Sequence, residues 1–263
     1  MGSGRRYGSR MAGETSAPRR ARPSGRVWLV LVCAGIVIAF LAIVLPGVFD
    51  VRHGERSYDF KAPINALAFN SKGTTHLDIS PSSDGHVHIR RTSQVSRDSR
   101  LVERHQIEGK TLVFRASCTG SRLGVLRRCD LHYTLLVPKR IALSLHTHFG
   151  RTTVTGTQGR IDFTSDAGDF VGTSCSKTAR FSLGFGRLEL HDACVPNLVR
   201  ARVRAGDVVL TVPAGRYDVS ADTHFGNGVK RPFANIIEDP ASPHRFDLVI
   251  SLGGSVQITG VNR

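Results

Sequence analysis

LSLHTHFGRTTVTGTQGRIDFTSDAGDFVGTSCSKTARFSLGFGRLELHDACVPNLVRARVRAGDVVLTV, Leu143 to Val212, carries one short pattern four times. Apolar and polar residues alternate, a glycine arrives, and the alternation resumes. With a fifth copy just beyond it, the marking glycines are Gly150, Gly168, Gly186, Gly206 and Gly226, separated by 18, 18, 20 and 20 residues. A period of this size over a strand-like pattern signals a unit that buries its apolar face only by stacking on copies of itself.

Counted from each glycine, positions −7, −5 and −3 are apolar or small: Leu143, Leu145, Thr147; Ile161, Phe163, Ser165; Ala179, Phe181, Leu183; Val199, Ala201, Val203; Val219, Ala221, Thr223. Positions +2 and +4 continue the face with Thr152 and Val154, Phe170 and Gly172, Leu188 and Leu190, Val208 and Leu210. Side chains alternate across a strand, so these residues line one interior. The glycine is where the chain bends between two short strands. Val-Pro pairs at 137–138, 195–196 and 212–213 suit corners, where a missing N–H costs least. A last unit is expected around Gly254, after an insertion at Lys230–His244.

Outward position +1 reads Arg151, Asp169, Arg187, Asp207, Asn227. In parallel stacking the charges alternate up one column, each neighbouring pair contributing about 0.2–1 kcal/mol, less when exposed. Arg202 and Asp222, at −4, are expected to become neighbours. The fold expectation is an all-β, right-handed, single-stranded β-solenoid over 138–263, preceded by a β-rich part at 57–137. Runs at Tyr58–Lys61, Thr75–Ile79, His86–Arg90, Thr111–Ala116 and Asp130–Val137 alternate as half-buried strands do. Residues 50–56 read as a polar linker.

The chain has 263 residues and a formal net charge of +15. Residues 1–26 hold seven arginines against one acid, Glu14, for +6, leaving 15 − 6 = +9 for the rest. That start, rich in Gly, Ser, Pro and Arg, reads as a disordered basic tail. Val27–Leu45 carries no charge, and as a helix it would rise roughly 28 Å, enough to span a bilayer core. The expectation is therefore one transmembrane helix at 27–49, with the basic N-terminus cytoplasmic and the remainder outside the cell membrane. Cys33 would be a buried membrane thiol, and no nucleic-acid partner is expected for the arginine run.

Four other cysteines suit an oxidising compartment. Cys118 and Cys129 bracket a hairpin loop. Cys175 and Cys194 lie 19 residues apart, close to one repeat period, so they would stack on adjacent strands. Two disulfides are expected, each stabilising by roughly 3 kcal/mol.

Little in the chain points to catalysis. Of eleven histidines, His146 and His148 share a strand face and, with Asp166, present a geometrically possible metal site. The rival reading, solvated strand residues, is the better one. Asp162, Asp166, Asp169, Asp192 and Asp207 are the acids a glycan-cleaving β-helix enzyme would need, but Arg187 separates Asp169 from Asp207, and an ion-pair ladder accounts for them better. No nucleotide loop and no nucleophile motif occurs, and no cofactor is expected.

The units Ala167-Gly168-Asp169-Phe170 and Ala205-Gly206-Asp207-Val208, the Leu136–Pro138 entry and the Val154–Gly156 close resemble a bacterial adhesin-like β-solenoid family of unknown function. Many of its members are anchored by an N-terminal transmembrane helix. The resemblance spans Tyr58 to Val261 and is densest from Leu135 to Val229. Gly186-Arg187 and Gly226-Asn227 depart from the Gly-Asp unit. It implies fold and envelope location and transfers no catalytic residue.

The functional expectation is a non-enzymatic, adhesin-like binding or scaffold module of the cell envelope. Its partners would be the membrane it spans and an anionic envelope polymer or a protein. An envelope-stress or regulatory accessory is one alternative, and a glycan-active enzyme is the other.

Overall fold

The computed structural model describes residues 29–30, 32–39, 51–97, 99–120, 129–225 and 228–262. The basic tail at 1–26, much of the 27–49 segment, and the pair Gly226–Asn227 lie outside the described residues. The chain divides into two units, Met1–Leu45 and Pro46–Arg263.

In the first unit the ten described residues between 29 and 39 are helical and exposed. Among the described residues no helix is long and apolar enough to cross a membrane. This overturns the expected single-pass anchor and the cytoplasmic-to-outside placement built on it. Cys33 is a free and exposed thiol.

The second unit is all-β. Its strands are β1 (Val51–Phe60), β2 (Ala66–Lys72), β3 (Thr74–Pro81), β4 (Val87–Ser96), β5 (Ser99–Glu108), β6 (Thr111–Gly120), β7 (Cys129–Val137), β8 (Ala142–Thr155) and β9 (Ile161–Ser174). They continue as β10 (Thr178–Phe185), β11 (Leu188–Asp192), β12 (Leu198–Ala205), β13 (Val208–Pro213), β14 (Gly215–Thr223), β15 (Gly228–Val229), β16 (Ile236–Glu238), β17 (Arg245–Gly253) and β18 (Ser255–Val261). The polar run at 51–56 lies inside β1 and pairs with β4.

These strands join into one large mixed sheet, which corrects the expected single-stranded solenoid. Three findings separate the two. First, β1–β4, β4–β7 and β5–β6 are antiparallel. Second, β8 and β9 are fourteen-residue strands that run through their glycines without a break. Third, units do not succeed one another in chain order: β17 sits between β12 and β14, and β18 between β13 and β15. The chain lays down β14 and β15 at the far edge and then returns to fill the gap. Arg202 and Asp222 are consequently not neighbours, since Val249 pairs with both.

The repeat survives as register. Gly150 pairs with Gly168 in a parallel ladder that keeps Leu143 beside Ile161 and Thr152 beside Phe170. Ile161, Ala179, Val199 and Phe246 follow in one buried row, and Phe170, Leu188, Val208 and Val256 in another. Each full burial of a large apolar side chain stabilises by about 1.5–3 kcal/mol. Gly172 interrupts the large residues at +4 for a steric reason: a Cβ there would meet the Phe170 ring at 2.7 Å. That ring fills the space, 4.9 Å from Phe163 and 4.7 Å from Phe181 between centroids.

Candidate binding surface

The glycines form a column of backbone-on-backbone contact. A Cβ on Gly168, Gly186, Gly206 or Gly254 would stand 2.0, 2.0, 1.7 or 1.7 Å from the carbonyl oxygen of the glycine below it. All four also have positive φ, between 132° and 156°. A side chain is excluded twice over, by strain and by volume. Gly150 starts the column against the Thr75 carbonyl. The place on top of Gly206, where chain order would put Gly226, is held by Gly254.

Because the strands approach so closely here, the flanking residues line up along a narrow outer edge. At −1 the paired residues are Phe149, Ala167, Phe185, Ala205 and Gly253. Phe149 and Phe185 are each 51% exposed. A register shift beside Gly253 turns out Leu252, also 51% exposed, and the Phe225 carbonyl lies against Gly253 with its side chain 67% exposed. From β8 to β17 large apolar side chains thus alternate with alanines, and Phe225, just past β14, stands on the rung next to Leu252.

At +1 the four charges Arg151, Asp169, Arg187 and Asp207 follow one another, but their roles differ. Asp169 Oδ1 accepts the Arg187 backbone N–H at 3.0 Å, and Asp207 Oδ1 accepts the Ser255 backbone N–H at 2.9 Å and its hydroxyl at 2.7 Å. These aspartates cap the next unit's backbone. The arginines project outward with loose partners: Arg151 is 3.6 Å from Asp169, and Arg187 is 3.4 Å from Glu189. An exposed pair at such a distance contributes under about 1 kcal/mol and competes poorly with a ligand carboxylate. Both disulfides form. Cys175–Cys194 joins the connections that follow the paired strands β9 and β11, with Cα atoms 4.8 Å apart, and Cys118–Cys129 joins β6 to β7.

A second surface lies on the outer face of β1, β4, β7 and β3. Cross-strand register places Glu55, Thr92, His132 and His76 in one row and His53, Gln94, Asp130 and Thr74 in the next. Residues of these rows line an open cleft of about 590 Å³. His132 Nε2 is 2.8 Å from Asp78, and the His76 and His132 rings are 6.3 Å apart. Nearby, His88 sits between Asp59 at 2.6 Å and Asp84 at 2.8 Å, and these hydrogen bonds raise its pKa. His146 and His148 rings are 5.6 Å apart, with Asp166 3.6 Å from His148. Among the described residues no group of three or more His, Cys, Asp or Glu could hold a metal ion.

Beneath that face is a buried ionic knot. Glu103 receives the Tyr58 hydroxyl at 2.8 Å, the Tyr133 hydroxyl at 2.7 Å and the Arg91 guanidinium at 2.9 Å. Its side chain is 4% exposed and that of Arg91 is 11%. Burial, then the Glu103 carboxylate, pushes the Tyr58 hydroxyl up to about 12 and raises Tyr133 as well. The knot ties β1, β4, β5 and β7 together and offers no open face to a substrate.

Sequence reasoning missed both Glu103 and the aromatic edge. The edge had a legible signal: Phe149-Gly150-Arg151, Ala167-Gly168-Asp169, Phe185-Gly186-Arg187 and Ala205-Gly206-Asp207 alternate strictly. The unit of the surface is two repeats, not one. Glu103 had none, because a lone Glu in a polar run, VERHQ at 102–106, looks solvated until side chains from three other strands close on it.

No protein-family model matches the chain, and no curated protein does. Solved structures with partial likeness include a "putative cell adhesion protein" from Clostridium sporogenes. It is 14% identical, with 80% of this chain and 100% of that one covered and a TM-score of 0.49. A "putative adhesin" from Bacteroides fragilis is also 14% identical, with 79% and 97% covered and a TM-score of 0.34. A "putative lipid binding protein" from Parabacteroides distasonis is 10% identical, with 82% and 96% covered and a TM-score of 0.22.

Proposed function

We propose that this chain is a non-enzymatic, adhesin-like binding module that meets its partner along the glycine edge. One observation carries the reading. Phe149, Phe185, Leu252 and Phe225 stand more than half exposed beside the glycine column, with charged residues next to them at +1. Exposed aromatics that align and are rimmed by polar groups mark contact sites in folded proteins. Phe149, Phe185 and Leu252 sit within strands, so little backbone ordering is needed when a partner arrives. The histidine cleft and the Glu103 knot are served well by structural roles: a polar, ion-paired outer face above and a cross-strand clamp below.

The reading is tested with the full-length chain on beads, scored for adhesion to mucin-coated surfaces and to purified bacterial sacculi. The expected result is adhesion to at least one surface that falls several-fold in a Phe149→Ser, Phe185→Ser, Phe225→Ser variant. Equal adhesion by the variant, or none by either protein, overturns it.

A further inference from the structure

The two-repeat period of the edge constrains what can lie on it. Adjacent strands are ~4.8 Å apart, so Phe149 and Phe185, two rungs apart, are separated by ~9.6 Å along the stack. Arg151 and Arg187 recur at the same interval, each beside a phenylalanine. Aromatic face and cation therefore repeat together, while the rungs between offer a small Ala and an Asp whose oxygen is tied to backbone.

Three kinds of occupant can be compared. An extended peptide presents same-face side chains every ~6.8 Å, out of step with the rings. An α-helix presents its face every ~5.4 Å and needs an apolar stripe at least ~100° wide. This stripe is one residue wide, flanked by His148 and Asp166 on one side and Arg151 and Asp169 on the other. A linear glycan differs from both. It is a narrow ribbon with apolar C–H faces that stack on aromatic rings, hydroxyls along both margins, and, in many polymers, a repeat of one disaccharide.

Charge selects further. The chain carries +15 overall, which draws polyanions. In the +1 column the cations Arg151 and Arg187 occur only on phenylalanine rungs, while Arg204 stands on the opposite flank beside Ala205, so a polymer lying along that column has one anionic group per disaccharide. A polymer charged on every sugar would set alternate anions against Asp169 and Asp207.

Building on the proposed binding role of this edge, we propose that it holds an acidic linear polysaccharide with one carboxylate per disaccharide. The carboxylate-bearing sugars stack on Phe149 and Phe185, and their carboxylates are met by the planar guanidinium groups of Arg151 and Arg187, which suit carboxylate geometry.

Native affinity electrophoresis of the full-length chain tests this. The gels contain hyaluronate or unsulfated chondroitin, with hydroxyethylcellulose as the neutral glycan and poly-L-glutamate as the anion without sugars. The expected result is retardation by at least one of the acidic glycans, stronger than by either comparison polymer. Phe149→Ala with Phe185→Ala should weaken it roughly tenfold, and Arg151→Ala with Arg187→Ala by a similar factor. Phe149→Tyr with Phe185→Tyr should preserve it, since the ring faces remain. Ile107→Ala, which removes an exposed apolar side chain on β5, should change nothing. Absence of retardation by both acidic glycans overturns the inference. So does retardation no stronger than by poly-L-glutamate, or indifferent to loss of the rings. If the bead adhesion above still depends on the phenylalanines in those cases, the edge keeps its binding role and only the glycan is wrong. Dimerisation through the rings, or a helical peptide that outcompetes every polymer, overturns the glycan in the same way.

Discussion

The parallel ladders around the glycine column and the antiparallel strands β1, β4 and β5 solve the same problem by opposite means. Both must bury one sheet face. In the parallel region identical small backbone contacts recur at every rung, and stability is spread along the stack. In the antiparallel region a single carboxylate, Glu103, gathers Tyr58, Arg91 and Tyr133 from three strands. Distributed contacts tolerate variation between rungs but forbid a side chain at any glycine. A concentrated knot tolerates surface change but not the loss of its centre.

That contrast can be broken at either end. The largest effect is expected from Gly206→Ala, whose Cβ would stand 1.7 Å from the Gly186 carbonyl at a φ of 145°. Backbone strain and overpacking together predict a loss of about 5 kcal/mol, read as a lowered urea midpoint. Gly215→Ala, with nothing nearer than 3.5 Å, serves as its control. Next is Glu103→Ala, which leaves the Arg91 guanidinium buried without its carboxylate and should cost about 4 kcal/mol in the same measurement. Replacing Arg91 and Glu103 together by apolar residues should cost less than either single change.

Cys175→Ser with Cys194→Ser opens a 19-residue loop within the ladder and should lower stability by about 3 kcal/mol. A smaller, pH-dependent effect belongs to His88, which links β1 and β4 through Asp59. Its folded pKa is raised above the ordinary 6.5. Its contribution is therefore complete below that value and lost as pH rises through the folded pKa. Asp84, whose pKa is lowered first by the His86 backbone N–H and then by His88, contributes above the ordinary 3.8 and loses its share as pH falls below it. Thermal midpoints of the native chain and a His88→Gln variant should differ most near about pH 5.5 and converge by about pH 9. The smallest change in stability, under about 0.5 kcal/mol, is expected from Phe149→Ala, because that ring faces solvent. A larger loss there would give the aromatic edge a part in holding the stack.

Much of the ladder was legible. Strand alternation placed Leu143, Phe163, Phe181 and Val203 inside, and spacing paired Cys175 with Cys194. Order was not. Gly254 rather than Gly226 follows Gly206 in the column because a later strand pair returns to fill a gap. Periodicity along a chain carries no information about which copy lies next in space. The single-pass anchor failed for a related reason: apolar composition permits a spanning helix but does not by itself build one. The aromatic edge was missed for want of the right period, since Phe149 and Phe185 fit a two-unit repeat that the glycines alone conceal.

By itself, the amino-acid order determined the all-β character, the buried face of each strand and the rungs where only glycine fits. These follow from local sterics and from side chains alternating across a strand. Only the tertiary structure decided the succession of units, the mixture of parallel and antiparallel ladders and the gathering of four strands at Glu103. Each of these joins residues tens of positions apart, and their pairing is selected by the burial and hydrogen bonding of the whole sheet.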